Sequence, residues 1–549
     1  MKVGVDMAKA KAPSFIIDVE IKGKKRDFFL IESELEINRV IYNTSLGEYL
    51  KREKQMKRTK RYKKLVRISR AIKSHLAKNS NKEKMKYYQN EQKSLSEEFK
   101  KLREEFGLTE YSMHEYIKQV RNHFKGKINS IIAQKTATRA WNTIKNKLFG
   151  KAKKVAFVKR GDMDSFEGKN NQTGWRFKEG KVISNDRVFA LKVIEMDMYL
   201  KEAFHLLTTQ QIFQYKNQDG ETVSEFYKVK YVRILKRIVR GSVRYYAQLV
   251  CAGYPPVKRD KKTGLVKYHL GEGPVGIDIG TSSIAVSSKS KVLLKNLGEN
   301  IKKVEHVQRE IRLLNRKLDR SKRATNPLNY DEAGRIRKGK KQWGFSKNYK
   351  KLKAQLKELY RKLALYRKVS HQYEVNRMVM LGDKFYIEEM NFKALQRRAK
   401  KTEVSEITGK YKKKKRFGKT ISHRSPASFV SILSRKVIAL GGTFIKVKTS
   451  TFKASQYDHK ADKCKKKDLK ERWHKFDDGT RVQRDLYSAF LLMNSNLLGL
   501  ESDRTSCLNT FDQFFKFHEK EIEKIEKENE VILNSGIVLK VKKTARCAA

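Results

Sequence analysis

The sequence predicts a multidomain α+β chain: a strand-rich, β-barrel-like domain split by an inserted helical lobe, then an α/β domain interrupted by a helical hairpin and closed by a small insertion. Three observations predict it. Strand signals flank a long proline-free stretch of helical periodicity, two segments between 299 and 373 repeat apolar residues at alternating steps of three and four, and the stretches at 273–288 and 383–395 read as strands. A length of 549 residues allows three or four domains at roughly 150 residues each. With 39% hydrophobic and 10% aromatic residues, the chain can build real cores and is not globally disordered.

Residues 13 to 31 read as two short strands turning at Gly23. From Ser33 to about Leu148 the chain is Lys- and Glu-rich, with Leu95, Phe99, Leu102 and Phe106 at helical steps, which predicts several antiparallel helices. Strand signals return at Lys154 to Val158 and around 174 to 183. The clearest hairpin pairs 228–239 with 243–251 around Arg240, Gly241 and Ser242, one face apolar and the other basic. Pro255 and Pro256 mark a linker. In 299–373, Val304, Val307, Ile311, Leu314 and Leu318 face Tyr349, Leu352, Leu356, Leu359, Leu363 and Tyr366, so two long helices pack as a hairpin. Its connector holds Pro327 and many basic residues and is expected to touch a phosphate backbone. Residues 410–419 read as a flexible basic loop, and 511–532 as a helix.

Charge narrows the partners. Lys and Arg number 126 against 60 Asp and Glu, a formal net charge of +66. Basic residues run through every segment, which favours nucleic acid over an anionic membrane, because each neutralised phosphate releases counterions. Without a run approaching ~18 apolar residues or a signal-peptide core, a membrane protein is not expected, and a cytosolic location is. Cys251, Cys464, Cys507 and Cys547 form no CxxC pair, so neither a disulfide framework nor a zinc ribbon is signalled.

Three acids carry chemistry through their contexts. In GPVGIDIGTSSIAVSS (273–288), Asp278 leaves a strand between Gly276 and Gly280, with Val275, Ile277 and Ile279 on the other face. In DKFYIEEMNFKAL (383–395), Glu388 ends an apolar strand. In VQRDLYSAFLLM, Asp485 opens a helix whose Leu486, Ala489, Phe490 and Met493 have core spacing. Each alone is an ordinary carboxylate. Together, an acid on a first strand, an acid ending a later strand and an acid in the first turn of a following helix form the arrangement that binds two divalent cations in RNase H-like nucleases, where two ions roughly 3.5–4 Å apart need hard oxygen ligands. GxxxxGK[ST] is absent, which excludes a P-loop reading, and the GxGxxG match at 271–276 (GEGPVG) opens a strand instead of following one and opening a helix, which excludes a Rossmann reading. Missing later phosphate loops and the charge argue against an actin-like ATPase.

At these residues the sequence resembles the TnpB family of transposon-encoded RNA-guided nucleases and the related type V CRISPR (Cas12-like) nucleases. GIDIG (276–280) is similar to the first RuvC motif, YIEEMNFKAL (386–395) to the second and QRDLYSAF (483–490) to the third. LNRKLDRSKR (314–323), residues 422–447 and Ser455-Gln456 extend the resemblance across most of 273–496. It implies a wedge domain in two parts (1–32 and 151–272), a helical recognition lobe (33–150), an RNase H-like (RuvC) α/β nuclease domain (273–448) with hairpin 299–373, a target-nucleic-acid-binding insertion (449–482), and the third motif with a C-terminal tail (483–549). It further implies guide RNA and target double-stranded DNA as partners in a prokaryotic cell, cleavage after recognition of a short flanking duplex motif, and two Mg2+ ions, replaceable by Mn2+, on Asp278, Glu388 and Asp485. Glu389, where the family has Asp, is second choice.

The chain departs from the family twice. Its zinc segment offers only Cys464, His459 and His474, so zinc is not expected, and packing of Tyr457, Leu469 and Trp473 is expected to hold it. Tyr487 replaces the usual Asn and is expected to alter how the nearby acid or its water is oriented. Candidate phosphate contacts are Arg237, Arg240 and Arg244 on the hairpin and Arg316, Arg320, Lys322 and Arg323 on the first long helix. Tyr87, Tyr88, Tyr111, Tyr116 and Trp141 are weaker candidates for base stacking. The competing readings are a guided DNA-binding repressor without cleavage, an unguided RNase H-like nuclease such as a junction resolvase, and a ribosome-type RNA binder.

Overall fold

The computed structural model describes residues 12–539 except 79–80, 185–186, 194–196, 218–219, 261, 299–302, 398–403, 405–416, 466, 469–470 and 497. The chain forms two compact units that divide after Pro256, at the expected linker. Most of the basic loop 410–419 and the tail from 540, with Cys547, lie outside the described residues.

The first unit opens with β1 (Ser14–Lys22), whose Phe15, Ile17, Val19 and Ile21 are buried in alternation. The expected second strand is instead the start of α1 (Lys25–Arg58). Asp27 Oδ2 accepts the Lys24 amide at 2.8 Å and caps the helix, and Phe28, Ile31 and Leu35 then follow at steps of three and four. The lobe therefore begins at Lys25. It continues through α2 (Lys60–Lys78), α3 (Lys82–Glu105), α4 (Glu110–Asn122) and α5 (Ser130–Leu148), around buried Leu46, Tyr49, Leu102, Met113 and Ile144.

Residues 154–158 are irregular, where a strand is expected. Then come β2 (Ser165–Glu167), β3 (Arg176–Lys178), β4 (Lys181–Ser184), β5 (Arg187–Leu191), α6 (Met198–Thr208), the paired β6 (Ile212–Lys216) and β7 (Thr222–Phe226), and the long hairpin β8 (Val229–Val239) and β9 (Ser242–Ala252). The hairpin turn is two residues, not three: Val239 pairs with Ser242, and Arg240 and Gly241 both have positive φ, 53° and 83°. That matches the strand twist. The seven-stranded order is β2-β8-β9-β1-β5-β4-β3. Because β1 lies between β9 and β5, the helical lobe is an insertion into this sheet. Hydrogen bonding ends at β2 and β3, so among the described residues the expected barrel-like domain is an open sheet.

The second unit is built on a five-stranded sheet, β12-β11-β10-β13-β14. β10 (Pro274–Ile279), β11 (Ser283–Ser288) and β12 (Val292–Asn296) form an antiparallel meander. α7 (Lys303–Thr325) and α8 (Lys347–Met378) follow as the expected hairpin, joined through Val304, Val307, Ile311 and Leu363. Next come β13 (Lys384–Glu388), α9 (Phe392–Leu395), α10 (Gly418–Arg424), α11 (Pro426–Ala439) and β14 (Thr443–Val447), with β13 and β14 parallel to β10. The insertion contains α12 (Thr449–Phe452), β15 (Tyr457–Asp458), β16 (Lys463–Cys464), β17 (Trp473–Lys475) and β18 (Arg481–Gln483), then α13 (Arg484–Met493) and α14 (Arg504–Lys527).

Period-two alternation gives this sheet two different faces. Val275, Ile277, Ile279, Phe385 and Ile387 pack on α8 and α11 through Val375, Met378, Phe429 and Leu433. Ala285, Leu294, Tyr386 and Val447 meet α13 and α14 through Ala489, Phe490, Phe511 and Phe514. Each fully buried side chain of this size contributes about 1.5–3 kcal/mol. No described helix is long and apolar enough to cross a membrane.

Candidate active site

Asp278 lies on the face covered by α13. The gap beside it is filled by backbone: a Cβ at Gly276 would run into the Ala489 carbonyl oxygen and the Met493 amide nitrogen. Glycine thus lets α13 lie directly on β10. One helical turn and two strand residues each advance about 5–7 Å. Asp485, one turn before Ala489, therefore comes level with Asp278, two residues after Gly276. In the parallel ladder Ile277 pairs with Ile387, which sets Asp278 and Glu388 on adjacent strands at the next step. All three acids share one locale.

The electrostatics agree. Burial pushes the Asp278 carboxyl well above the usual range, the charges of Asp485 and Glu388 push it further, and Arg484 opposes them. Burial raises Glu388 to about 7. Arg484 Nε stands 3.7 Å from Asp485 Oδ1 while its Nη1 donates to the Glu471 carbonyl at 2.9 Å. Among the described residues, neither Asp278 nor Glu388 has an ion pair. Glu389 is exposed, and its amide donates to the Val447 carbonyl at 2.8 Å.

Desolvated, mutually repelling carboxylates with hard oxygens are the donor set a divalent cation requires. Among the described residues, no three His, Cys, Asp or Glu side chains converge closely enough to hold one ion as they stand. The donors fit in type and location, and ligation requires their side chains to turn together.

The insertion is held by more than the expected packing: Tyr457 does pack on the core and Trp473 meets His518, and a buried polar and aromatic group adds to them. Tyr487 is buried, and its hydroxyl faces the insertion: it accepts the His459 amide at 3.1 Å and lies 2.7 Å from His459 Nδ1. The Tyr487 hydroxyl is therefore engaged with the insertion, where the family's Asn is expected to serve the acid or its water. His474 stacks on the Tyr487 ring at 4.6 Å, and its Nε2 lies 3.0 Å from Asp458 Oδ2. Phe476 completes the box. Burial pushes both histidines down to about 4. Cys464 is exposed. Trp473 Nε1 donates to the Gly536 carbonyl at 3.0 Å, Tyr457 donates to Asp462 at 2.8 Å, and Leu469 lies outside the described residues. The alternation of His474 and Phe476 along WHKF was the available signal for the box.

The candidate phosphate contacts separate into engaged and free. Arg237 pairs with Asp18 at 2.6 Å above the Tyr246 ring, and Arg244 pairs with Glu20 at 3.2 Å. Lys322 sits 3.8 Å over Trp343, while Arg323 bonds Asp319 at 2.8 Å and the Gly334 carbonyl at 2.9 Å. Arg240, Arg316 and Arg320 are exposed without an ion pair among the described residues. Tyr88, Tyr116 and Trp141 pack on the lobe core, whereas Tyr87 and Tyr111 are exposed. Sequence reasoning missed α2, an acid-free helix with exposed Lys60, Lys63, Lys64, Arg67, Arg70 and Lys73.

No protein-family model and no curated protein matches the chain. Two solved structures are similar over 88% of it. One is a cryo-EM structure of a Cas12f1–sgRNA–target DNA complex, 99% covered, with TM-score 0.37 and 10% identity. The other is a cryo-EM structure of a CRISPR–Cas12f ternary complex, 87% covered, with TM-score 0.23 and 12% identity. TM-scores this low establish no shared fold.

Proposed function

We propose that the chain is an RNA-guided DNA endonuclease of the TnpB and type V CRISPR kind, hydrolysing phosphodiesters at Asp278, Glu388 and Asp485. One observation carries this reading. Three acids distant in sequence, each in a motif resembling RuvC, come near one another where α13 covers one sheet face, and among the described residues the two on strands have no ion pair in a chain of charge +66. Asp278 and Glu388 would hold Mg2+ or Mn2+ between adjacent strands, and Asp485 would complete the ligands. Bound there, the cations would activate water and stabilise the leaving 3′-oxygen. The protein's own part is to hold these carboxylates at one end of α13, with Arg484 fixed beside Asp485 by the Glu471 carbonyl. Guide RNA and target double-stranded DNA would lie along basic surfaces such as α2 and α7, with base pairing selecting sequence and the protein reading a short flanking duplex motif.

The test is to purify the protein from cells carrying its native flanking DNA, sequence the accompanying RNA and offer DNA complementary to its variable segment. The expected result is one discrete RNA and cutting that needs Mg2+ and stops with EDTA. Guided binding without cutting would convert the reading to a repressor. Heterogeneous RNA would make it an unguided nuclease or a general RNA binder.

A further inference from the structure

The C-terminal part of the chain meets the start of α13. β18 passes into α13 without a loop, so Gln483 both ends a strand and caps the helix that carries Asp485. Gln483 is fully buried and held in three ways. Its side-chain oxygen accepts the Leu486 amide at 2.8 Å, its side-chain nitrogen donates to the Ser535 carbonyl at 3.1 Å, and its backbone amide donates to His518 Nε2 at 2.9 Å. His518, on α14, is itself buried between Phe514 and Phe515, with Trp473 at its edge.

The last bond fixes the state of the imidazole. A backbone N–H can only donate, so Nε2 must present its lone pair, and the ring proton of neutral His518 sits on Nδ1. Among the described residues that Nδ1 has no hydrogen-bond partner, and it is buried. The chain therefore tolerates an unsatisfied donor in order to keep an acceptor aimed at Gln483. Burial also pushes His518 down to about 4, which keeps the ring neutral at ordinary pH.

We infer that His518 is a positioning residue for the proposed metal site: through the Gln483 amide it fixes the first turn of α13 and so the place of Asp485 opposite Asp278 and Glu388. This rests on the nuclease reading above. It gives the C-terminal segment a part in catalysis that none of the three motifs contains. A supporting group of this kind typically changes metal affinity or activity by about 10–100-fold.

The test uses the full chain with its co-purified RNA and Mn2+ as probe, read by electron paramagnetic resonance, with Asp278→Ala defining the Mn2+ bound elsewhere. His518→Gln keeps an acceptor where Nε2 lies; His518→Phe keeps the ring and removes it. The inference expects His518→Phe to lose about tenfold in site-specific Mn2+ affinity. The Mn2+ dependence of cleavage should shift by the same factor, with RNA content and unfolding temperature retained, and His518→Gln should stay within about twofold of the parent. If His518→Phe does not fold, His518→Asn, whose acceptor falls short of Gln483, takes its place with the same expectation. Parent-like Mn2+ binding in the Phe or Asn variant overturns the inference, as does a Gln variant impaired as much as they are. If Asp278→Ala binds Mn2+ like the parent, the site itself is wrong and the inference falls with it; loss in Asp278→Ala alone sinks only the role of His518.

Discussion

Acids on the open sheet of the first unit and acids on the five-stranded sheet of the second live under opposite rules. In the first unit Asp18 and Glu20 on β1, Glu167 on β2 and Glu32 on α1, which follows β1, each meet a cation, Arg237, Arg244, Arg233 and Lys236 in that order, at 2.6 to 3.2 Å. In the second, Asp278 and Glu388 share their locale with another acid, and among the described residues neither has an ion pair. The chain carries about two basic residues for every acid, so partners for an acid are plentiful. The absence of a partner at two half-buried, desolvated carboxylates is informative, because desolvating charge without one costs folding energy. The comparison also works in reverse: pairing occupies the cations, so Arg237 and Arg244 are less available to phosphate than Arg240, Arg316 or Arg320.

The largest expected effect tests the unpaired acids directly. Asp278→Ala should lower Mg2+-dependent cleavage at least about 1,000-fold, the scale on which groups acting as one catalytic unit fail, while guided DNA binding persists. Cleavage that survives in full would remove Asp278 from the chemistry and reduce its isolation to an accident of packing.

Glu388 gives the next largest effect, on stability. Its folded pKa of about 7 exceeds its ordinary 4.5. The native state therefore holds the proton longer than the unfolded chain does, so this contribution is fully present below about pH 4.5 and is lost as pH rises through 7. Without divalent cations, Glu388→Gln should be more stable than the parent at pH 8, by roughly 3 kcal/mol at most, and about equal to it at pH 4.5. The buried His459, His474 and His518 act in the opposite sense, losing stability as pH falls from 6.5 toward 4, so the measurement is the difference between variant and parent in denaturant unfolding at each pH. No difference at pH 8 would mean that Glu388 is as well solvated as a paired surface acid.

The candidate site was more legible than the fold around it, and the reason is range. Strand parity placed Asp278 opposite Val275 and Ile277, and Glu388 opposite Phe385 and Ile387, because period two is local; the start of α13 at Asp485 is local too. RDFFLI at 26–31 misled because a short apolar run has no period of its own; the Asp27 cap decides it, and only the continuation to Leu35 shows the helix. The pairing of Arg237 and Arg244 with Asp18 and Glu20 depends on β1 entering the sheet beside β9, from the other end of the unit, which no local window contains. Gly276 was legible as a space, but not that α13 fills it. The turn of Tyr487 toward His459 likewise depends on where the insertion folds back.

Gly276 sharpens the comparison by an intermediate amount. Gly276→Ala places a methyl against α13 backbone, which cannot swing aside as a side chain can, so it should cost about 1–3 kcal/mol and lower cleavage by displacing Asp485. Gly280→Ala is the control: the nearest atoms its methyl would meet belong to Ser283, at 3.5 to 4.0 Å, an ordinary contact. Equal behaviour of the two variants, by thermal unfolding and Mn2+-dependent cleavage, would show that α13 does not owe its place to the absence of a side chain at 276.

The smallest effect probes the paired region. Asp18→Asn breaks the partly exposed pair with Arg237, and such pairs contribute about 0–1 kcal/mol, so stability should barely change. Arg237 keeps its seat on the Tyr246 ring but loses its counter-charge. If the outer face of the hairpin lies along a nucleic-acid backbone, the freed guanidinium gains a phosphate, affinity rises, and the slope of log affinity against log salt steepens by about one contact. An unchanged slope would mean that these ion pairs serve the sheet alone, leaving the phosphate contacts to cations such as those of α2, which have no neighbouring acid on their own helix to answer them.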